Sequence, residues 1–151
     1  RDQFETAISE RGWASVRLHD TATFVRLHVI GDDELIVEMA VDTAAGQPPA
    51  MTLVGPTFAP DELAGRKLLA LYGRAEARDF ADVYVLVLRF GREVLLERAA
   101  EVDSGLDRDV LAEMMRTLVR FTDEELPIDA VLVEELRTYF AEWADELDPA
   151  T

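Results

Sequence analysis

The chain has 151 residues, of which 49% are hydrophobic, so it is long enough to bury one core or two small ones. Acidic residues outnumber basic ones by 31 to 15, and the formal net charge of -16 argues against non-specific binding to nucleic acid or an anionic membrane. The absence of cysteine excludes disulfides and thiolate chemistry, and no apolar run is long enough to span a membrane, so a cytoplasmic protein is expected.

The first part of the chain predicts a helix followed by a small sheet. Residues 2–11 have apolar side chains at helical spacing, and Gly12 can close that helix. Three β-like stretches follow, at residues 16–18, 24–29 and 35–41, with short turn signals between them. This order predicts an antiparallel meander. The last stretch, LIVEMAV, is so apolar that we expect it at the centre of the sheet.

A connection rich in proline separates the sheet from a helical region. Residues 43–60 hold four of the six prolines, and the pattern beyond them is helical throughout. Helices are predicted to begin near Asp61, Arg78, Arg92, Val110 and Pro127. The expected fold class is therefore α+β, with an antiparallel or mixed sheet portion at residues 1–58 and an all-helical portion at 59–151 packed on it.

The charged residues between positions 61 and 86 form the first candidate site. Lys67 is the only lysine, whereas 14 arginines supply the other positive charges, and lysine and arginine are not interchangeable. Lys67 and Arg74 share a face of one predicted helix, and the next helix carries Asp79 with Arg78 and Asp82 at i, i+4 spacing. Cations held by carboxylates suit a phosphate group. The alternative is a salt-bridge network that joins two helices.

Two acids at the end of the sheet form the second candidate site. Glu38 lies within the apolar stretch at 35–41, and Asp42 ends it. A buried, unpaired carboxylate is costly, so Glu38 is expected to be paired, bound to a metal or placed at the mouth of the sheet. The alternative is an outward-facing residue on a half-exposed strand, because Ile36, Glu38 and Ala40 share a face that is not strongly apolar.

The segment LAGRKLLALYGRAEARDFADVYVL resembles the AbiEii/AbiGii-type toxin nucleotidyltransferase family. That family has the pattern K-x-x-A-L-x-x-R followed, a few residues later, by R-D-x-x-D. The matching positions in this chain are Lys67, Ala70, Leu71, Arg74, Arg78, Asp79 and Asp82. The order of an apolar strand, prolines and then a helix also fits, so the resemblance covers roughly residues 13 to 90.

The resemblance implies a fold of the DNA polymerase β type and an enzyme that uses NTP with Mg²⁺. Such enzymes transfer a nucleotidyl group to an acceptor, in some toxins the 3′ end of tRNA, and they often have a cognate antitoxin. The resemblance makes Lys67 the phosphate contact and Asp82 the residue that orients it, so both are expected at the catalytic site. Arg74, Arg78 and Asp79 are expected in the substrate-binding set.

The same resemblance makes Glu38 the third acid directed at the metal, with Asp42 as a rival for that role. The chain departs from the family before this point, because residues 1–37 contain no Gly-Gly or Gly-Ser turn followed by Asp-x-Asp. Two explanations are open. The chain, which starts at Arg1, lacks several dozen upstream residues and is inactive alone, or the protein is a non-catalytic relative that acts as a protein-interaction module.

Overall fold

The computed structural model describes residues 1–53 and 55–148. Within these residues the chain is α+β, as predicted, with a three-stranded antiparallel sheet, a two-stranded hairpin and six α-helices. The strands are Ala14–Asp20 (β1), Phe24–Ile30 (β2), Glu34–Ala40 (β3), Ala50–Thr52 (β4) and Gly55–Thr57 (β5). The α-helices are Asp2–Glu10 (α1), Pro60–Arg74 (α2), Ala77–Phe90 (α3), Arg92–Val102 (α4), Arg108–Arg116 (α5) and Val133–Leu147 (α6). Short 3-10 helices lie at Thr117–Arg120, Asp123–Glu125 and Ala130–Leu132.

The chain forms two compact units, Arg1–Ala44 and Ala45–Thr151, called here the sheet unit and the helical unit. The sequence places the division at residues 58 and 59 instead. Residues after Ala44 group with the helices because the carboxylate of Glu62 on α2 accepts hydrogen bonds from the backbone N–H groups of Gly46 and Gln47, each at 3.1 Å. No helix in the described part of the chain is long and apolar enough to cross a membrane.

In the sheet unit, alternation along the strands decides which face is buried. Val25, Leu27 and Val29 on β2 point to one face and pack with Ile8 of α1. The strand order β1-β2-β3 with antiparallel pairs confirms the predicted meander. The predicted central position of residues 35–41 is wrong, because β2 is central and β3 lies at an edge.

In the helical unit, apolar residues at i, i+3, i+4 and i+7 build one core. On α3 these are Phe80, Val83, Tyr84 and Val87, all buried. They pack with residues of the other helices, including Leu68, Leu71, Leu95, Leu111, Leu136, Phe140 and Trp143. The predicted starts of α2, α3 and α4 agree with the structure within one residue. Helix α6 begins at Val133, after three short 3-10 helices, and not at Pro127.

Two features of the helical unit were not predicted. Residues 50–57 were expected to be an extended connection and instead contain the β4–β5 hairpin. Helices α2 and α4 approach very closely at Gly65, where an added Cβ would lie 2.5 Å from Cβ of Arg98. Glycine at this position therefore permits the close contact between the two helices.

Candidate functional site

The charged motif lies on the hairpin formed by α2 and α3. The hairpin turns at Ala75, which has a left-handed backbone (φ 47°) and is the only non-glycine residue with positive φ in the described ranges. The N–H group of Ala75 donates to the carbonyl of Leu71 at 3.0 Å and closes α2. The short turn makes α2 and α3 neighbours that contact each other, so residues of the two motif halves can meet.

Lys67 on α2 pairs with Asp82 on α3. Lys67 Nζ donates to Asp82 Oδ2 at 2.7 Å, although the residues are 15 positions apart in the chain. The side chains are 37% and 41% exposed, so the pair lies at the surface and is open to a ligand. An ammonium group has three donors, and Asp82 occupies one of them.

Arg74 at the end of α2 pairs with Asp79 in the first turn of α3. Its Nε and Nη2 donate to the two carboxylate oxygens at 2.9 and 2.8 Å, which is a bidentate arrangement. Asp79 is fully buried, and Oδ2 also accepts from the backbone N–H of Glu76 at 3.0 Å. The same carboxylate thus caps α3 and fixes the direction of the Arg74 side chain, which is 46% exposed.

The electrostatic environment keeps Asp79 ionised. Burial raises the pKa of this carboxyl, but the hydrogen bonds from Arg74 and from the backbone of Glu76 outweigh burial, so the net pKa lies below its usual range. The hydrogen bonds that Arg74 donates to Asp79 raise the pKa of the guanidinium, and they outweigh burial, which lowers it. Both groups are therefore charged at neutral pH.

Arg78 has a different partner from the one its spacing indicates. The i, i+4 spacing predicts an ion pair with Asp82, whereas Arg78 Nη2 lies 2.9 Å from Glu76 Oε2. Asp82 is used by Lys67 instead. Sequence reasoning missed Glu76, although Glu76 and Asp79 have the spacing of a capping box and the structure shows that box at the start of α3.

The motif residues on the hairpin therefore form a cluster of three cations and three carboxylates that hold them. Lys67, Arg74 and Arg78 supply the positive charges, and the carboxylates belong to Glu76, Asp79 and Asp82. Because each cation uses only part of its donor set on its carboxylate, donors remain that can face a ligand. Lys67 and Arg74 lie two turns apart, or roughly 10 Å along α2. Such an arrangement can bind an anion with several oxygens, and it can equally be an ion-pair network that joins two helices.

Glu38 and Asp42 belong to the sheet unit. Glu38 is 48% exposed on the edge strand β3, where Oε1 accepts a hydrogen bond from Arg26 Nε at 2.7 Å. This is the paired, outward-facing position that was one alternative. Oδ1 of Asp42 accepts from the backbone N–H of Thr43 at 2.7 Å.

These two acids do not make a Mg²⁺ site by themselves. A carboxylate that pairs with an arginine is a poor hard-cation ligand, and Mg²⁺ requires oxygen ligands in octahedral geometry. In residues 1–53 and 55–148 no group of three or more His, Asp or Glu side chains could hold a metal ion.

Comparisons with known proteins add no constraint: no family model, no curated protein and no solved structure matches this chain. The resemblance to the toxin nucleotidyltransferases therefore depends on the sequence of this chain alone, chiefly on the motif of the α2–α3 hairpin.

Proposed function

We propose that this chain carries the phosphate-binding part of a nucleotidyltransferase of the AbiEii/AbiGii toxin type. The complete enzyme would transfer a nucleotidyl group from an NTP to an acceptor, for which tRNA is the candidate, and a cognate antitoxin would be its protein partner. The observation that carries the proposal is the Lys67–Asp82 pair, in which an exposed ammonium group is held at 2.7 Å by a carboxylate of the neighbouring helix and keeps two further donors.

Each residue of the hairpin has a role in this proposal. Lys67 contacts a phosphate oxygen, and Asp82 holds its Nζ in position until the ligand arrives. Arg74 offers its remaining N–H groups to the same anion, while buried Asp79 positions Arg74 and does not touch the ligand. Arg78, which is 62% exposed, adds positive charge at the turn. Preorganised cations of this kind stabilise the charge that develops during nucleotidyl transfer.

The metal belongs to the proposal only as an expectation from the family. Mg²⁺ bound to the triphosphate would neutralise charge and polarise the reacting phosphate. The resemblance alone makes Glu38 the candidate acid for this metal, with Asp42 as the rival.

A transfer assay with labelled NTPs tests the proposal in the protein translated from the complete reading frame. The wild type is expected to transfer label to an RNA acceptor, and Lys67→Ala is expected to abolish transfer. The control is Arg98→Gln, which breaks the ion pair between Arg98 on α4 and Asp61 on α2, at 2.8 Å, and does not touch the pairs made by Lys67, Arg74 and Arg78. No transfer by the wild type would refute the function, and full activity of Lys67→Ala would refute the site.

A second candidate function is a non-catalytic module that binds a protein. The observation in its favour is that the three cations of this cluster are matched by three carboxylates, within a chain whose net charge is -16. An acidic surface of this kind fits a basic partner and repels nucleic acid. Calorimetry with Mg²⁺ and each NTP separates the two candidates, because clear NTP binding by the 151-residue chain contradicts a module that binds only protein.

A further inference from the structure

Strand β3 has the sequence of a buried strand and the position of an edge strand. In the described ranges only β2 pairs with β3, over seven residue pairs without any irregularity. Leu35 on one face and Ile36 on the other are 60% and 52% exposed, whereas Val37 and Met39 are half-buried against the core of the sheet unit. Proline, lysine and bulges, which protect many edges from pairing, are absent from the strand, and its two charged residues, Glu34 and Glu38, are paired with His28 and Arg26 of β2. The opposite edge, β1, has a register shift between Arg17 and His19.

The backbone groups that face the open edge can be identified from the register. The N–H of Val41 donates to the carbonyl of Thr23 at 2.8 Å, so Val41 belongs to a hydrogen-bonded pair with β2. Hydrogen-bonded and non-hydrogen-bonded residues alternate along an antiparallel strand. The odd-numbered residues of β3 therefore bond to β2, and the even-numbered ones, Glu34, Ile36, Glu38 and Ala40, direct their N–H and C=O groups to the open edge.

We propose that β3 pairs with β3 of a second copy of this chain, antiparallel and centred on Val37. In this register Ile36 lies opposite Glu38 of the second copy, and Glu34 lies opposite Ala40. These residues form the hydrogen-bonded pairs, because their backbone N–H and C=O groups face the open edge. On the packed face this register joins Leu35 to Met39 of the second copy and the two Val37 side chains to each other, so apolar groups meet. Registers centred on Ile36 or Glu38 would instead place glutamates opposite each other.

The result is a two-fold symmetric, six-stranded sheet, which uses the same surface on both copies. Charge opposes this pairing, because residues 1–44 hold nine acids against four arginines. Salt screens that repulsion. We therefore expect the dimer fraction to rise with ionic strength, which is the opposite of an interface held by ion pairs.

Cysteine cross-linking tests the register directly, because the chain has no cysteine of its own. The two Val37 residues would form a non-hydrogen-bonded pair with Cα atoms about 4.5 Å apart, a separation that a disulfide can span. Val37→Cys is expected to form a disulfide dimer about tenfold or more faster than Val16→Cys, since opposed residues react at a high effective concentration. Val16 is the control because it lies on β1, and it is 51% exposed.

Charged substitutions at position 36 provide a second test, because a cation and an anion there are expected to change the dimer's dissociation constant in opposite directions. Ile36→Lys places a cation opposite Glu38 of the second copy and is expected to tighten the dimer about threefold to tenfold, whereas Ile36→Glu weakens it to a similar extent. Val16→Lys and Val16→Glu make the same changes in net charge on β1, at the opposite edge from β3. Sedimentation velocity over a concentration series gives the dissociation constants.

Two results overturn the proposal. The first is a monomer at every soluble concentration, with cross-linking no faster for Val37→Cys than for Val16→Cys. The second is a dimer on which substitutions at positions 36 and 16 have equal effects, because that dimer uses another surface. A loss of sheet structure in Val37→Cys, seen by circular dichroism, would leave the position 36 series to decide.

Discussion

Removing the charge of Asp79 is expected to destabilise the helical unit far more than removing the charge of Asp82. Asp79→Asn and Asp82→Asn make the same chemical change on the same helix, one residue fully buried and the other 41% exposed. Each carboxylate holds a cation of α2. The difference between the unfolding free energies of the two variants therefore measures how much burial and the bidentate contact contribute to stability.

The magnitude follows from the bonds that the buried carboxylate accepts. Asp79 accepts three, from Arg74 Nε at 2.9 Å, from Arg74 Nη2 at 2.8 Å and from Glu76 N at 3.0 Å. Asparagine has one oxygen, so its amide NH₂ faces a donor and at least one charged bond is lost. A hydrogen bond to a charged group contributes about 1.5–3 kcal/mol, and half-exposed Arg74 regains part of this from water, so we expect a loss of about 2–3 kcal/mol. Asp82→Asn should cost less than about 1 kcal/mol.

Urea unfolding followed by circular dichroism gives both values, and pH provides an internal check. The pKa of Asp79 in the folded chain lies below its ordinary value of 3.8. Its contribution to stability is therefore complete above that value and is lost as the pH falls through the folded pKa. The gap between wild type and Asp79→Asn should be constant near neutral pH and close in acid. Two results would refute the reasoning. One is an equal, small loss of unfolding free energy in both variants, and the other is a stability difference between wild type and Asp79→Asn that persists in acid.

Two further predictions concern packing and use the same unfolding assay. Gly65→Ala should destabilise by about 1–3 kcal/mol, because the new Cβ would lie 2.6 Å from the backbone of Arg98, whereas Gly73→Ala, with nothing within 4 Å, should stabilise by about 0.5–1 kcal/mol. The opposite order would contradict the close approach of α2 and α4. Phe140→Ala should cost about 3–5 kcal/mol, because Phe140 is 1% exposed and its ring meets Phe80 edge-on at 5.2 Å. A loss below about 1 kcal/mol for Phe140→Ala would show that its contacts are absent.

The elements that local pattern controls were predictable from the sequence. Apolar residues at helical spacing and a terminal glycine located α3, and the alternation of β2 with turn signals on both sides located the meander. The starts of 3-10 helices and the two short strands β4 and β5 were missed, because segments of three or four residues carry too little periodicity to be distinguished from an extended loop.

What the sequence could not supply was the choice between equivalent partners. Asp82 has a cation four residues before it on its own helix and another 15 residues before it on the preceding helix, and tertiary packing selected Lys67. The strand LIVEMAV shows the same limit. Its composition indicates burial on both sides, but only the register of the whole sheet places it at the edge.

The most direct test of the phosphate site is calorimetric titration of Mg²⁺ and an NTP into the 151-residue chain and two variants of one ion pair. If Lys67 binds phosphate, Lys67→Gln should weaken binding at least about tenfold, since a charge-assisted hydrogen bond contributes about 1.5–3 kcal/mol. Asp82→Asn should weaken binding clearly less than Lys67→Gln, because the ammonium group that contacts phosphate is kept and only the carboxylate that positions it is lost. Equal losses in both variants, or no effect in either, would show that the Lys67–Asp82 pair only joins two helices.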